Sequence, residues 1–189
     1  MQEKSDEELM AAVMSGDQRA LPLLVGRYHA LLLGYLYRLI GGDRPLAEDL
    51  VQETLLRVLQ QRTYRSDRPF KPWVYTIATN LAKDHLKSAA VRYGSRTREE
   101  GDPLVNLSDN EASPEERALA AERSREVRAA VAGLGEEYRG VVVLRFYQGL
   151  KLQEIAETLQ IPLGTVKSRL SVGVDRLRNV LSQSSRGVG

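Results

Sequence analysis

The sequence predicts an all-α fold in which two small helical domains are joined by a flexible linker. Apolar residues recur at spacings of three and four along most of the chain, as in amphipathic helices. Capping residues precede several of these stretches. Residues 89–113 lack the periodicity and exceed the usual length of a connection inside one domain. We therefore expect domains at 1–88 and 114–183, a linker at 89–113 and a tail at 184–189.

Four helices are predicted in the first domain. Ser5 and Glu8 have the spacing of a capping box and begin the first helix. Asp17 is a suitable cap for the second helix, and Gly41-Gly42 ends that helix. Each helix carries an apolar stripe behind its cap, so we expect the four to share a core.

Two further start signals place the third and fourth helices. Asp43 caps the third helix, which we expect to end near Gln61. A polar loop follows, and Pro72 then opens a fourth helix that we expect to continue to about Lys87.

The second domain begins with a clear helix start at Ser113-Pro-Glu-Glu116. This helix continues to about Ala132. The run Val141–Leu144, taken alone, is compatible with a strand. Two more helical stretches follow at Leu152–Leu159 and at about 162–181.

Composition limits the chemistry that the chain can perform. The sequence has no cysteine and two histidines, which excludes disulfides, thiolate nucleophiles and Cys-ligated zinc and makes an imidazole cluster hardly possible. We expect no metal and no cofactor. The longest apolar stretch, Ala30–Ile40, is far shorter than the ~20 residues of a membrane span. The acidic N-terminus is unlike a signal peptide, so we expect a cytoplasmic protein with no membrane insertion. Because the net charge is only +2, nucleic-acid affinity would need local patches.

The last two helices form the sharpest motif. Both are short and amphipathic, and a tight turn joins them, as in a helix-turn-helix. Hydroxyl, methyl and basic groups that suit base edges and phosphates face outward on the second helix: Thr165, Lys167, Ser168, Arg169, Val172 and Arg176. A helical hairpin that merely packs against its neighbours is the alternative interpretation.

The stretch Ile161–Leu170, preceded by Gln153–Ala156, closely resembles region 4.2 of the extracytoplasmic-function sigma factors. In this family the helix-turn-helix binds the −35 promoter element, so the resemblance assigns −35 DNA to the six outward residues above. The sequence departs from the family at Val172 and Val174, where members often carry basic residues.

An acidic stripe marks the third helix. Asp49, Gln52, Glu53 and Leu56 lie opposite its apolar face and could bind a basic partner. Leu46–Val58 resembles region 2.2 of the same family, which implies docking on the β′ clamp helices of core RNA polymerase. The family also contacts the polymerase β flap. An ordinary solvated helix face is the alternative.

The fourth helix is predicted to bind an unpaired DNA strand. Aromatic, hydroxyl, amide and lysine groups share one face: Tyr75, Thr76, Thr79, Asn80, Lys83 and Lys87. Trp73 and His85 fall on the other side, where we expect them to pack into the core. Phe70–Leu86 resembles regions 2.3 and 2.4, which melt and bind the −10 element. The resemblance assigns the pocket for a flipped base to the preceding loop: Tyr64, Arg65, Ser66, Asp67 and Arg68.

The resemblance implies promoter DNA, core polymerase and an anti-sigma factor as partners. It also implies that the linker threads a basic channel of the polymerase, where its acidic residues Glu99, Glu100, Asp102, Asp109 and Glu111 would fit. A soluble tether explains these residues equally well. A stand-alone helix-turn-helix regulator is the main alternative function. We expect no catalysis, because Gly41-Gly42-Asp43 is only a fragment of a cyclase-like signature and no catalytic set accompanies it.

Overall fold

The computed structural model describes residues 4–60, 64–65, 67–92 and 113–184, and these residues form helices, turns and no β-strand. The prediction of an all-α fold is therefore confirmed. The helices are α1 Asp6–Met14, α2 Ala20–Leu39, α3 Arg44–Gln60, α4 Phe70–Arg92, α5 Pro114–Ala132, α6 Glu136–Val142, α7 Leu152–Leu159 and α8 Leu163–Ser184. A single π-helical turn, Val143–Tyr147, continues α6. The acidic residues of the expected linker lie outside the described residues.

The predicted caps hold three helix starts in place. At α1 the Ser5 hydroxyl accepts from the Glu8 amide, and the Glu8 carboxylate accepts from the Ser5 amide. Ser113 and Glu116 make the same reciprocal pair at α5. The Asp43 carboxylate accepts from the Leu46 amide at 3.1 Å. Each pair satisfies backbone donors that have no partner inside the helix.

Helix α4 is longer at both ends than the sequence predicts. It begins at Phe70 rather than Pro72, because the Glu7 carboxylate of α1 accepts from the Phe70 amide at 2.8 Å. It continues to Arg92, past Lys87 and into the expected linker. The alanines at 89 and 90 favour this continuation.

The run Val141–Leu144 is helical, with its first half in α6 and its second in the π turn. All four side chains are buried. A short helix that is buried on every side shows an unbroken apolar run, which periodicity alone cannot distinguish from a strand.

The two halves of the chain share one apolar core in the described arrangement. Helix α7 packs against α4, while α6 and the π turn pack against α2. The same core cluster contains Tyr35 and Val74 of the N-terminal half and Leu144 and Ile155 of the C-terminal half. The two parts predicted as separate domains therefore lie in direct contact.

The prediction that His85 packs into the core is wrong, because its side chain is exposed. No side chain is fully buried between residues 83 and 88 of α4, although Lys83 and Leu86 line a cleft beside α6 and α8. Trp73, by contrast, packs against the core as expected. None of the helices in the described parts of the chain is long and apolar enough to span a bilayer.

Candidate nucleic-acid interface

The turn between α7 and α8 gives the helix-turn-helix its sharp angle. Gln160 has a left-handed conformation with φ of 55°, and the Ile161 amide donates to the Ala156 carbonyl at 3.1 Å. Ile155, Leu159 and Val166 are buried behind the turn. The apolar face of both helices is thus fixed to the body, and the opposite face of α8 points away from it.

The predicted outward face of α8 is accessible to solvent. Lys167, Ser168, Val172 and Arg176 are exposed, and Thr165 and Arg169 are half-buried. Ser168 donates to the Thr165 carbonyl of its own helix, which leaves the hydroxyl oxygen able to accept from a base or a bound water.

Arg176 is held in place by an aromatic ring. Its guanidinium lies 4.4 Å from the centre of the Tyr138 ring of α6, within the range of a cation–π interaction. Such stacking restricts the rotamers of a long side chain while its nitrogens stay in solvent. Arg176 is therefore partly ordered before it meets any phosphate.

Every residue of the stripe predicted on α3 is exposed. Asp49, Gln52, Glu53 and Leu56 all face solvent, and more than half of the Leu56 side chain is exposed, at 52%. Glu53 accepts from Arg57 of the same helix at 3.0 Å. The opposite side of α3 is buried in the core. An exposed leucine can make a small apolar contact with a partner protein, and the carboxylates that flank it can pair with basic residues around that contact.

The loop before α4 has buried ends and an exposed tip. The Tyr64 ring is buried, lies 4.7 Å from the Trp73 ring, and donates its hydroxyl to the Arg68 carbonyl at 2.6 Å. Arg65 and Asp67 are exposed and form an ion pair at 2.7 Å. Ser66 lies outside the described residues.

Burial raises the pKa of the Tyr64 hydroxyl to about 12, and the nearby carboxylates of Glu7, Asp6 and Asp67 add to the shift. Tyr64 thus stays neutral well above physiological pH. Its ring is already stacked and its hydroxyl is already bonded, so in this arrangement Tyr64 shapes the loop rather than offering a free stacking surface.

The face predicted to bind the −10 strand is partly covered. We expected its residues to face solvent, and this is wrong for Tyr75 and Thr79, which are fully buried. Thr76, Asn80 and Lys83 are half-buried, and Lys87 is exposed. Part of the cover is the C-terminal half of the same chain, because α7 lies along α4. The rest comes from α2 of the N-terminal half, whose Tyr35 contacts both residues.

Both buried polar groups on α4 are hydrogen bonded. The Tyr75 hydroxyl donates to the side-chain carbonyl of Gln148, just after the π turn. Thr79 shares a hydrogen bond of 2.7 Å with the Tyr35 hydroxyl and also donates to the Tyr75 carbonyl. Burial raises the pKa of both the Tyr35 and the Tyr75 hydroxyls.

Two further contacts join the halves. The Thr158 hydroxyl of α7 donates to the Pro72 carbonyl at 3.3 Å, and the Arg38 guanidinium of α2 lies 4.2 Å from the Tyr147 ring centre. Beside them, one cleft is lined by Lys83 of α4 and Arg169 of α8. Residues predicted to bind the two promoter elements therefore meet in this arrangement.

The sequence did not reveal three structurally important residues, namely Glu7, Gln148 and Gly173. Glu7 and Gln148 act through partners 63 and 73 residues away, and no local pattern indicates such pairs. Gly173 lies where α8 crosses α6. A Cβ atom there would be 2.9 Å from a Val142 methyl. A glycine on the apolar face of a helix was the available signal for this close crossing.

Two family models match the chain. Sigma-70 region 2 matches residues 24–92, and Sigma-70 region 4 matches residues 130–179. Together they contain α3, α4, α7 and most of α8.

Curated relatives cover most of the chain. It is 33% identical over 180 residues to the RNA polymerase sigma-H factor of Pseudomonas aeruginosa, which covers 89% of each sequence. It is also 33% identical to the ECF RNA polymerase sigma factor SigW of Bacillus subtilis, covering 89% of this chain and 92% of that one.

Two solved structures share the fold. CnrH, solved in complex with the cytosolic domain of CnrY, matches with a TM-score of 0.69 at 24% identity and covers 95% of this chain and 99% of that one. The sigma factor RpoE of Bartonella quintana, solved in complex with the anti-sigma factor NepR, matches with a TM-score of 0.67 at 19% identity and covers 85% and 96%.

Proposed function

Because the chain belongs to the extracytoplasmic-function sigma factors, which direct RNA polymerase to promoters, we propose a division of the work between its two halves. The N-terminal half binds core polymerase and the −10 element, and the C-terminal half binds the −35 element. The observation that carries this proposal is the exposed face of α8, which presents hydroxyl and basic groups on a fixed helix-turn-helix. The factor supplies binding energy, and the polymerase supplies the chemistry.

The α8 face suits the major groove of duplex DNA. Arg169 and Lys167 can bind guanine or phosphates, and Ser168 and Thr165 can bind base edges. Val172 offers a methyl contact of the kind that thymine accepts. We assign the −35 contacts to these residues and to Arg176.

We assign core binding to the α3 stripe of Asp49, Gln52, Glu53 and Leu56. All four are exposed in the described arrangement, in which the C-terminal half covers α4. Core polymerase could thus engage α3 before the two halves separate. Electrostatic steering by the carboxylates would speed this first encounter.

The −10 role of α4 requires the halves to separate. Tyr75 cannot contact DNA while its hydroxyl is bonded to buried Gln148. Thr79 is buried as well, although its side-chain partner is Tyr35 of α2 and not a residue of the C-terminal half. We propose that core binding draws the C-terminal half away and frees the −10 face, which extends from the loop at 64–68 to Lys87. Captured bases then favour the melted promoter by shifting an existing equilibrium.

The contact between the halves combines a shared apolar core with a few buried hydrogen bonds. Tyr75, Gln148 and Thr158 are polar, so water can replace their hydrogen bonds when the halves separate. The net worth of each such bond is only about 1 kcal/mol. The main cost of opening is therefore exposure of the shared apolar core, which a larger polymerase interface has to offset. Glu136 and Glu137 line the same cleft as Lys83 in the closed form, where DNA phosphates would lie in the open form.

We further propose that an anti-sigma factor stabilises the closed form, since the structurally similar RpoE was solved with one. Sigma factors are non-catalytic initiation subunits, and we propose the same for this chain, acting in the cytoplasm where polymerase and promoters meet.

Run-off transcription tests the proposed function. Purified chain and core polymerase are incubated with promoters selected from a library with randomised −10 and −35 positions. We expect specific transcripts only when both proteins are present. If core polymerase selects no promoter when the chain is present, the proposal is contradicted.

A gel-shift experiment distinguishes the alternative, a stand-alone regulator. The same selected duplex is mixed with the chain, with core polymerase, or with both. We expect tight specific binding only with both, because the free chain covers its −10 face. Tight binding of a two-fold site by the chain alone would favour the regulator.

A further inference from the structure

Among the described residues, the acceptor at the start of helix α4 comes from another helix. Pro69 precedes it and has no side-chain acceptor, although the first backbone amides of any helix need partners. Pro72, two residues into the helix, has no backbone N–H to donate. The Phe70 amide is nevertheless bonded, because Glu7 of α1 accepts from it at 2.8 Å. A carboxylate at this position also interacts favourably with the helix dipole.

Helix α1 is itself firmly attached to the body, so Glu7 is held in place. Asp6 accepts from the Tyr28 hydroxyl and forms an ion pair with Arg27 at 2.8 Å, both on α2. Leu9 and Met10 are buried at 1% exposure each. Two adjacent carboxylates of α1 thus tie α2 on one side and α4 on the other.

The capped end of α4 is also the base of the −10 loop. The Phe70 ring lies 5.7 Å from the Tyr64 ring and 5.0 Å from the Tyr28 ring, both in edge-to-face geometry. Tyr64 in turn holds the Arg68 carbonyl. The residue at each end of the loop, Tyr64 and Phe70, is therefore packed against the other, and the capped Phe70 amide fixes where this pair lies.

We propose that Glu7 is a positioning residue for the −10 loop, an inference that rests on the proposed function. Glu7 does not touch DNA. By fixing the first turn of α4, it holds Arg65, Asp67 and Arg68 at the exposed tip in one arrangement before a flipped base arrives. A loop ordered in advance loses less conformational entropy on binding, so the same contacts yield more affinity.

Promoter opening by holoenzymes carrying Glu7→Ala or Glu7→Gln tests this proposal. A fluorescent base analogue in the −10 element of a library-selected promoter reports the unpaired strand. We expect Glu7→Ala to lower the opening equilibrium about fivefold, the factor set by a typical helix cap. Glu7→Gln retains a carbonyl acceptor and should stay within about twofold of the unaltered chain, because a neutral acceptor keeps most of a cap's value.

The affinities for core polymerase and for a −35 duplex in the holoenzyme serve as internal controls, and neither should change. Glu122→Ala, an exposed carboxylate of α5, controls for the loss of one negative charge. A merely structural role of Glu7 would lower all three readouts together and would overturn the proposal. Unchanged opening by Glu7→Ala would overturn it as well.

Hydrogen exchange of the Phe70 amide in the free chain gives a measurement that is independent of promoter activity. We expect about fivefold faster exchange in Glu7→Ala and near-normal exchange in Glu7→Gln. Equal exchange in all variants would refute the cap. Failure of the unaltered holoenzyme to open any promoter would instead contradict the proposed function, and the positioning role with it.

Discussion

Gly173 leaves α8 very little room where this helix crosses α6. A Cβ atom at this position would lie 2.9 Å from Cγ2 of Val142 and 3.6 Å from Cβ of Tyr138. Val142 is 1% exposed, and its branched side chain has few alternative rotamers. Absence of a side chain at 173 is therefore a packing requirement.

Gly173→Ala should lower the free energy of unfolding by about 1–3 kcal/mol, because overpacking exceeds the gain in helix propensity. Urea denaturation measures the change. Gly164→Ala is the matched control on the same helix, since no atom lies within 4 Å of its added Cβ. Equal stabilities of the two variants would show that α8 can shift away from α6 at no cost.

The buried tyrosines should make stability sensitive to high pH. The folded chain raises the pKa of Tyr64 to about 12, and burial also raises the pKa of Tyr28, Tyr35 and Tyr75 above the ordinary value of 10.0. Their contribution to the free energy of unfolding is complete below pH 10. It is lost as pH rises, because the unfolded chain releases these protons first. Denaturation curves from pH 8.5 to 11.5 should show the decline, and Tyr75→Phe should reduce its slope. A flat profile would contradict the burial of these hydroxyls.

The solvent exposure of a single residue was predictable from the sequence wherever helical periodicity alone decides it. This holds for Asp49, Glu53 and Ser168, which point outward as expected. It fails for Tyr75 and Thr79, since a polar side chain on an amphipathic helix can be buried once another element brings it a partner.

At the scale of elements, the α3 stripe leads to a charge-reversal experiment. Asp49→Arg and Glu53→Lys should each weaken binding of core polymerase by about tenfold, since each would bring a positive charge to a cationic partner surface. Both side chains are exposed, so the fold should be retained. Binding is measured by fluorescence anisotropy of the labelled chain, with circular dichroism as the check on folding.

Glu122→Lys on α5 makes the same charge change on an exposed face outside the stripe. It should leave core affinity unchanged. If all three reversals weaken binding equally, only net charge matters and the stripe has no specific role.

Helix boundaries show where local signals suffice. The starts of α1, α3 and α5 follow from capping residues within three positions of the helix. The start of α4 does not, because its cap is Glu7 of another helix. The secondary structure of Val141–Leu144 was also undecided, since an apolar run that is buried on all sides shows no helical or strand periodicity.

At the scale of the whole molecule, the described chain is closed. The sequence indicated two helical units with outward functional faces, and the helices and most of those faces are present. It could not indicate that the units pack together, because the contacts that join them, such as Tyr75 with Gln148, link distant residues. The closed form keeps the surfaces proposed for polymerase and −35 DNA accessible and covers the centre of the surface proposed for the −10 strand.

The proposed −10 role of α4 therefore requires separation of α7 from α4 in the initiating complex. The chain has no cysteine, so Asp84→Cys on α4 and Gln153→Cys on α7 provide two unique, exposed sites for spin labels. Double electron–electron resonance measures the distance between the two labels in the free chain and in the complex with core polymerase and promoter DNA. We predict one short distance in the free chain and a distinctly longer one in the complex. The same short distance in a complex that makes transcripts would contradict the account.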